Sequence, residues 1–246
     1  MRRNGPDDGR RAPRAWSCRC RPCRRRRCAL PHHLFENGCH VGRFYGVHSI
    51  TVKSPRDQAG RLNAYDVQVR NYSIRAACPD DLEGARAVML DTLYRDFGTG
   101  YVPRWHGDII DPAAAYLVPA RHTLLVALDP DHGTVVATGA LDSRGPAHPP
   151  NPRELAERYP SGETAQLRRI YVRPEHRRRG LARRLVDELL AFAAADGGYR
   201  SVYLHTDPAV PGAEAFWRSL GKVVHDERET TGGASNVVHF EIPMGR

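Results

Sequence analysis

The chain has 246 residues, 37 Lys and Arg against 28 Asp and Glu, six cysteines and a formal net charge of +9. The charge is lopsided: residues 1–70 hold 16 basic and 5 acidic residues, a net of +11, whereas residues 71–246 hold 21 and 23, a net of −2. No run approaches the roughly 20 apolar residues of a membrane span, and the first 30 residues lack the apolar stretch of an export signal, so the expected location is cytoplasmic, with no membrane partner.

Residues 1–70 read as an Arg/Cys-rich leader, either disordered or upstream sequence translated from a misassigned start, with Val67 or Val69 as the alternative start. Arg24 to Arg27 form an unbroken charge run without helix or strand periodicity around it. Five of the six cysteines lie here (Cys18, Cys20, Cys23, Cys28 and Cys39). Cys20 and Cys23 have C-x-x-C spacing, but neither a second such pair nor a clean H-x-x-x-H follows, so no metal is expected. The arginine run keeps nucleic-acid binding through phosphates as an alternative, though not the favoured one. Residues 71–246 are of the size of one domain.

Ser73–Ala77 reads as a first strand. Pro79-Asp80-Asp81 then supplies a helix start, with Leu82, Ala85, Val88, Met89 and Leu93 as the apolar stripe. Gly98–Trp105 is a Gly/aromatic loop, and Asp108–Leu117 a second short helix. Thr123–Leu128 and Thr134–Leu141 form a hairpin around Asp129–Gly133. Residues 143–162, with five prolines, read as a surface excursion. Thr164–Val172 is the next strand, and its Gln166, Arg168 and Arg169 require one face to meet solvent or ligand. The best-patterned element is a helix over Leu181–Ala195, with Leu181, Leu185, Leu189 and Phe192 on one face. Ser201–Thr206 is a strand, Gly212–Leu220 a short helix, and Lys222–His225 with Asn236–Ile242 a terminal hairpin. This order gives an α/β fold with a sheet of mixed direction.

Between the strand at Thr164–Val172 and the long helix stands Arg173-Pro174-Glu175-His176-Arg177-Arg178-Arg179-Gly180-Leu181-Ala182. Free N–H groups at a helix start, with a glycine allowing close approach, make a site for phosphate oxygens. Arginines crowd the positive end of the helix dipole, where they do not stabilise the helix; a bound polyanion would offset that penalty. Arg177-x-x-Gly180-x-Ala182 fits the pattern [Q/R]-x-x-G-x-[G/A], and Ala213 to Gly221 fits A-x-x-F-Y-x-x-x-G with Trp217 in place of tyrosine. In these motifs and in its element order, the chain over about residues 72–244 resembles the GNAT superfamily of acyl-CoA N-acyltransferases.

The resemblance implies a mostly antiparallel central sheet flanked by helices and splayed at its fourth and fifth strands. It implies acetyl-CoA as co-substrate, held by Ile170, Tyr171 and Val172 along its peptide-like arm, by Arg177, Arg178, Arg179, Gly180, Leu181 and Ala182 at its diphosphate, and by Phe216 and Trp217 nearby. An N–H near Val172 would polarise the thioester carbonyl. The acceptor would be a primary amine of a small molecule or peptide; self-association into a homodimer is compatible with this. Three departures touch the proton machinery: Gln166 stands where many relatives carry a carboxylate base, Trp217 where many carry a tyrosine acid, and Val210 where an asparagine is frequent. Glu163 and His205 are the candidate replacement bases, with Asp142 as a third. Tyr94, Phe97, Tyr101, Trp105 and His106 could line an acceptor pocket, and Gln166 with Trp217 keeps a catalytically impaired acyl-CoA-binding module as an alternative.

Overall fold

Seven strands, β1 (Ser73–Ala76), β2 (Thr123–Leu128), β3 (Val135–Asp142), β4 (Thr164–Val172), β5 (Ser201–Thr206), β6 (Lys222–Asp226) and β7 (Val238–Ile242), build one sheet in the order β1-β2-β3-β4-β5-β7-β6. The computed structural model describes residues 72–244 except 231, 233 and 234. The arginine run, the leader cysteines and the boundary at residue 70 lie outside the described residues. All neighbouring strands are antiparallel except β4 and β5. The terminal hairpin forms with its second strand inserted, since β7 pairs with both β5 and β6.

Helices cover both faces. On one side lies α1 (Leu82–Asp91), which continues into a π turn at Thr92–Asp96; Ala85, Val88, Met89 and Leu93 pack there against Leu124, Val126 and Ala140 of the sheet. The second helix, α2, spans Pro103–Ile110 rather than starting at Asp108, because Pro103 is suited to the first helical position. A kink at His106 interrupts it, and a separate π turn covers Ala113–Leu117. The proline-rich excursion contains a short helix that periodicity did not reveal, α3 (Arg153–Arg158), which buries only Leu155 of its own residues.

The opposite face carries α4 (Leu181–Asp196) and α5 (Ala213–Arg218). Leu181, Leu185, Val186, Leu189 and Ala193 of α4 are buried against Ala137, Leu167, Val202 and Phe240. Each buried leucine contributes roughly 2–3 kcal/mol by leaving water, which explains why this helix was the clearest in the sequence. Gly197, at φ +69, ends it in the left-handed conformation that glycine adopts without strain. A last helical turn, α6 (Glu227–Thr230), stands between β6 and β7.

Two irregularities shape the sheet centre. The β3–β4 register slips between Thr138 and Ala140, so that Arg169 and Ile170 together oppose Gly139. Arg169 sits at φ +55 there, a bulge in which a non-glycine residue holds a left-handed backbone. The parallel β4–β5 ladder has only three pairs, Thr164–Ser201, Ala165–Val202 and Gln166–Tyr203, after which the strands part.

Candidate active site

The parting of β4 from β5 leaves an inner edge of β4 without a strand partner beyond Gln166. Arg173 donates its N–H to Val136 of β3 at 2.9 Å, so the N–H of Val172, one residue back, points the other way, into the opening. Ile170 and Val172 lie on this edge with side chains packed against the core under α4, while Tyr171 packs on the other face against Phe97, ring centroids 5.6 Å apart.

The opening leads to the arginine turn. Arg178 at φ +61 and Gly180 at φ +77 alternate with residues of ordinary hand, curling the backbone so that successive N–H groups converge. Among the described residues, the N–H groups of Arg178 to Ala182 meet no backbone acceptor, and the Gly180 cap has no side-chain hydrogen bond. Holding a non-glycine residue left-handed costs about 1 kcal/mol, which marks this turn as one whose shape is maintained by its surroundings. Those surroundings are its own arginines. Arg177 donates from Nε to the Val172 carbonyl at 2.9 Å and pairs with Asp96. Arg179 donates to the Tyr72 hydroxyl at 2.7 Å. Two of the three arginines therefore brace the turn, and Arg178 is the one whose side chain has neither a hydrogen bond nor an ion pair among the described residues.

The remaining sequence-derived residues fall in different places. Trp217 is buried in the core and meets Phe216 edge-on at 4.8 Å, so its position is accounted for by packing. Glu163 precedes the closed end of the β4–β5 ladder, pairs with Arg200 at 3.1 Å and leaves 47% of its side chain exposed. Asp142 is fully buried and held by Arg144 at 2.6 and 3.0 Å. His205 lies two residues past the last β4–β5 pair, open to solvent within the parting. Enclosure by the surrounding chain, then the charges of Arg168 and Arg169, lower its pKa; the ring still touches water, which limits the part that enclosure plays. Of the two candidate bases, the fold brings His205 to the opening and leaves Glu163 at the ladder's closed end.

An open cleft of about 510 Å³ lies beside the opening, with Trp105, Asp108, Asp111, Arg144 and Arg168 in its lining. Only Trp105 of the five aromatic-loop residues lines it. Tyr94 is exposed, Phe97 packs on Tyr171, and buried His106 accepts the Val102 N–H at 2.8 Å, with Tyr101 tilted over it at 6.0 Å. The wall of the cleft is fixed by a pair that sequence reading missed. Arg169, turned by the bulge, grips Asp108 with 2.7 and 2.8 Å bonds, while Tyr116 donates to the same carboxylate at 2.5 Å. Burial pushes the Asp108 carboxyl up, but the Arg169 guanidinium outweighs it and holds it at about 2.

A second missed constellation lies behind His205. The cross-strand register places His205, His239 and His225 in one row over β5, β7 and β6. His239 is fully buried and bridges Tyr203, at 2.6 Å from Nδ1, and Glu227, at 2.8 Å from Nε2. With Nε2–H donating to the carboxylate, Nδ1 accepts from the Tyr203 hydroxyl. Alternating His205/Tyr203 and the His225–His239 spacing are visible in the sequence, but pairing them requires knowing that β7 inserts between β5 and β6. Among the described residues no group of three or more His, Cys, Asp or Glu side chains could hold a metal ion, and no helix is long and apolar enough to cross a membrane.

The acetyltransferase (GNAT) family profile matches residues 87–221. A GNAT-family acetyltransferase from Staphylococcus aureus Mu50 is 13% identical over 70% of this chain and 99% of its own, with a TM-score of 0.53. An acetyltransferase from Streptococcus agalactiae 2603 is 15% identical over 70% and 98%, with a TM-score of 0.51. A GCN5-related N-acetyltransferase from Kribbella flavida is 17% identical over 71% and 99%, with a TM-score of 0.50. At these identities the likeness is one of fold. No curated protein sequence matches the chain.

Proposed function

Because the chain belongs to the acetyltransferase (GNAT) family, we propose that it transfers an acetyl group from acetyl-CoA to the primary amine of a small molecule or peptide, in the cytoplasm. The observation that carries this reading is the parting of β4 from β5 immediately upstream of a turn with unengaged N–H groups. A polar strand edge suits a peptide-like arm, and convergent N–H groups at the start of α4 suit a diphosphate. We assign Ile170 to Val172 to the first and Arg178 to Ala182 to the second, with Arg177 bracing both. Acetyl-CoA, when bound, supplies the activated acetyl thioester.

The chain's own residues then hold, orient and take up a proton. The Val172 N–H, aimed into the opening, is the donor for the thioester carbonyl. The cationic surroundings of Arg168 and Arg169 favour the neutral, nucleophilic form of an incoming amine. His205, on the open side of β5, is our first candidate for proton acceptor, a weak base there because its pKa is lowered, and Glu163 is the second because Arg200 engages it. The rest of the rate comes from holding both reactants together. We take residues 71–246 as the acyltransferase unit and residues 1–70 as a leader apart from it.

Calorimetry with acetyl-CoA, followed by thiol release over a panel of amines, tests the reading. Micromolar binding and turnover with at least one amine are expected; absence of acetyl-CoA binding would overturn it. A second reading, an acyl-CoA-binding module without turnover, is favoured by buried Gln166 and core-packed Trp217, and binding without thiol release for any amine would support it.

A further inference from the structure

The cleft beside the opening has the wrong charge for a simple amine. Amines with a pKa near ~10 arrive as ammonium ions at neutral pH, yet this cleft is walled by Arg104, Arg144 and Arg168. Of its two lining acids, Asp108 is neutralised by Arg169, and Asp111 accepts the Ala114 N–H at 3.0 Å. Beneath them, Asp142 is engaged by Arg144. Four guanidinium groups, counting Arg169, thus face three carboxylates.

Arg168 is the exceptional member. Its side chain is only 26% exposed, and its nearest carboxylate oxygen, on Asp142, stands at 3.8 Å. That is too long for a hydrogen bond. A guanidinium has five N–H donors in a fixed fork, and among the described residues none of those of Arg168 has a hydrogen-bond partner. A cation whose one ion pair is the long contact to Asp142 and whose donors open to the cleft is matched by an oxyanion in bidentate contact. Trp105, half-exposed at the rim with Arg104 stacked 4.2 Å above its ring, adds an apolar wall.

We propose that the acceptor is an amine that also carries a carboxylate, seated on Arg168 with Arg144 beside it, so that an amino-acid-sized molecule directs its amino end to the β4–β5 opening. The inference rests on the acetyltransferase reading for what happens to the amine, but not for the binding itself. Arg168 stands two residues past the last β4–β5 pair, on the stretch of β4 that borders the opening and runs on to Val172, so a carboxylate on its guanidinium keeps the amino end at that opening. The carboxylate also offsets the field that would otherwise repel the ammonium form.

The test is calorimetry on the full-length protein with the common amino acids, each paired with its own amide, in the presence and absence of coenzyme A. The acid of at least one pair is expected to bind roughly tenfold to a hundredfold more tightly than its amide, and Arg168→Gln to abolish that preference. A panel in which no acid binds more tightly than its amide overturns the proposal, as does an undiminished preference in folded Arg168→Gln. The wild-type comparison stands by itself if the variant does not fold. Acetyl-CoA affinity, titrated on the same samples, reports separately on the donor assignment, so the two readings fail independently.

Discussion

The Asp108–Arg169 pair joins α2 to the bulge of β4, and its removal should be felt both as lost stability and as a changed response to acid. Both side chains are nearly buried, 6% and 9% exposed, and Arg169 also donates to the Trp105 carbonyl at 2.8 Å. Asp108→Asn keeps the shape but leaves the Arg169 charge without its counter-ion, a change that costs about 3–5 kcal/mol for a buried pair. The carboxylate gives an independent scale. Its pKa falls from 3.8 to about 2 in the folded chain, and each unit is worth about 1.4 kcal/mol, so the pair contributes on the order of 2 kcal/mol. Arg169 is shifted upward by the same contacts and further than Asp108 is shifted down, but it does not titrate in an accessible range, so the carboxylate sets the scale. Since the folded pKa is the lower one, this contribution is complete above the unfolded value and disappears as pH falls toward the folded value. Urea unfolding followed by circular dichroism should therefore give a loss of about 3 kcal/mol for Asp108→Asn near neutral pH, shrinking between about pH 4 and pH 2. Adding Arg169→Met should recover part of it. A neutral-pH loss below about 1 kcal/mol, or one that does not shrink in acid, would refute the assignment of a buried, mutually dependent pair.

Gly180→Glu adds a strained left-handed side chain and a negative charge to the arginine turn. Acetyl-CoA affinity should fall on the order of a hundredfold with the far-ultraviolet spectrum unchanged; retained affinity would count against the turn as the diphosphate site. His239→Phe removes the acceptor of the buried Tyr203 hydroxyl, and should lower urea stability by about 1–3 kcal/mol. Gly145→Ala would drive its Cβ against the Tyr159 carbonyl oxygen, destabilising by about 2–3 kcal/mol; an unchanged denaturation midpoint would show that the 143–162 excursion yields freely.

The strands and the long helix were legible because their burial is regular. Thr123–Leu128, Thr164–Val172 and Ser201–Thr206 have the expected bounds, and α4 differs by one residue. Elements held by local chemistry rather than periodicity were harder. The six residues of α3 bury a single leucine of their own, and α2 starts at a proline and kinks at His106, so neither offers a sustained stripe. In the candidate site, the arginine turn could be read because its glycine and charges are contiguous in sequence. The cleft could not, because Asp108, Arg144 and Arg168 meet only through the fold. One clue did exist. Gln166 and Arg168 alternate as a strand with one polar face should, whereas Arg169 breaks that alternation. The break is the bulge.

That single extra residue also decides sidedness. In an unbroken strand, Arg168, Ile170 and Val172 would share one face, because side chains alternate. Here Arg168 lines the cleft, Ile170 and Val172 join the core under α4, and Tyr171 joins Phe97 on the opposite face. Straightening the bulge with Arg169 kept in register would send Tyr171 under α4 and turn Ile170 and Val172 to the opposite face, a frame shift in three dimensions rather than in codons. The alternation of β4 is thus reset midway, and its two halves are free to meet different chemistry on the same face of the sheet.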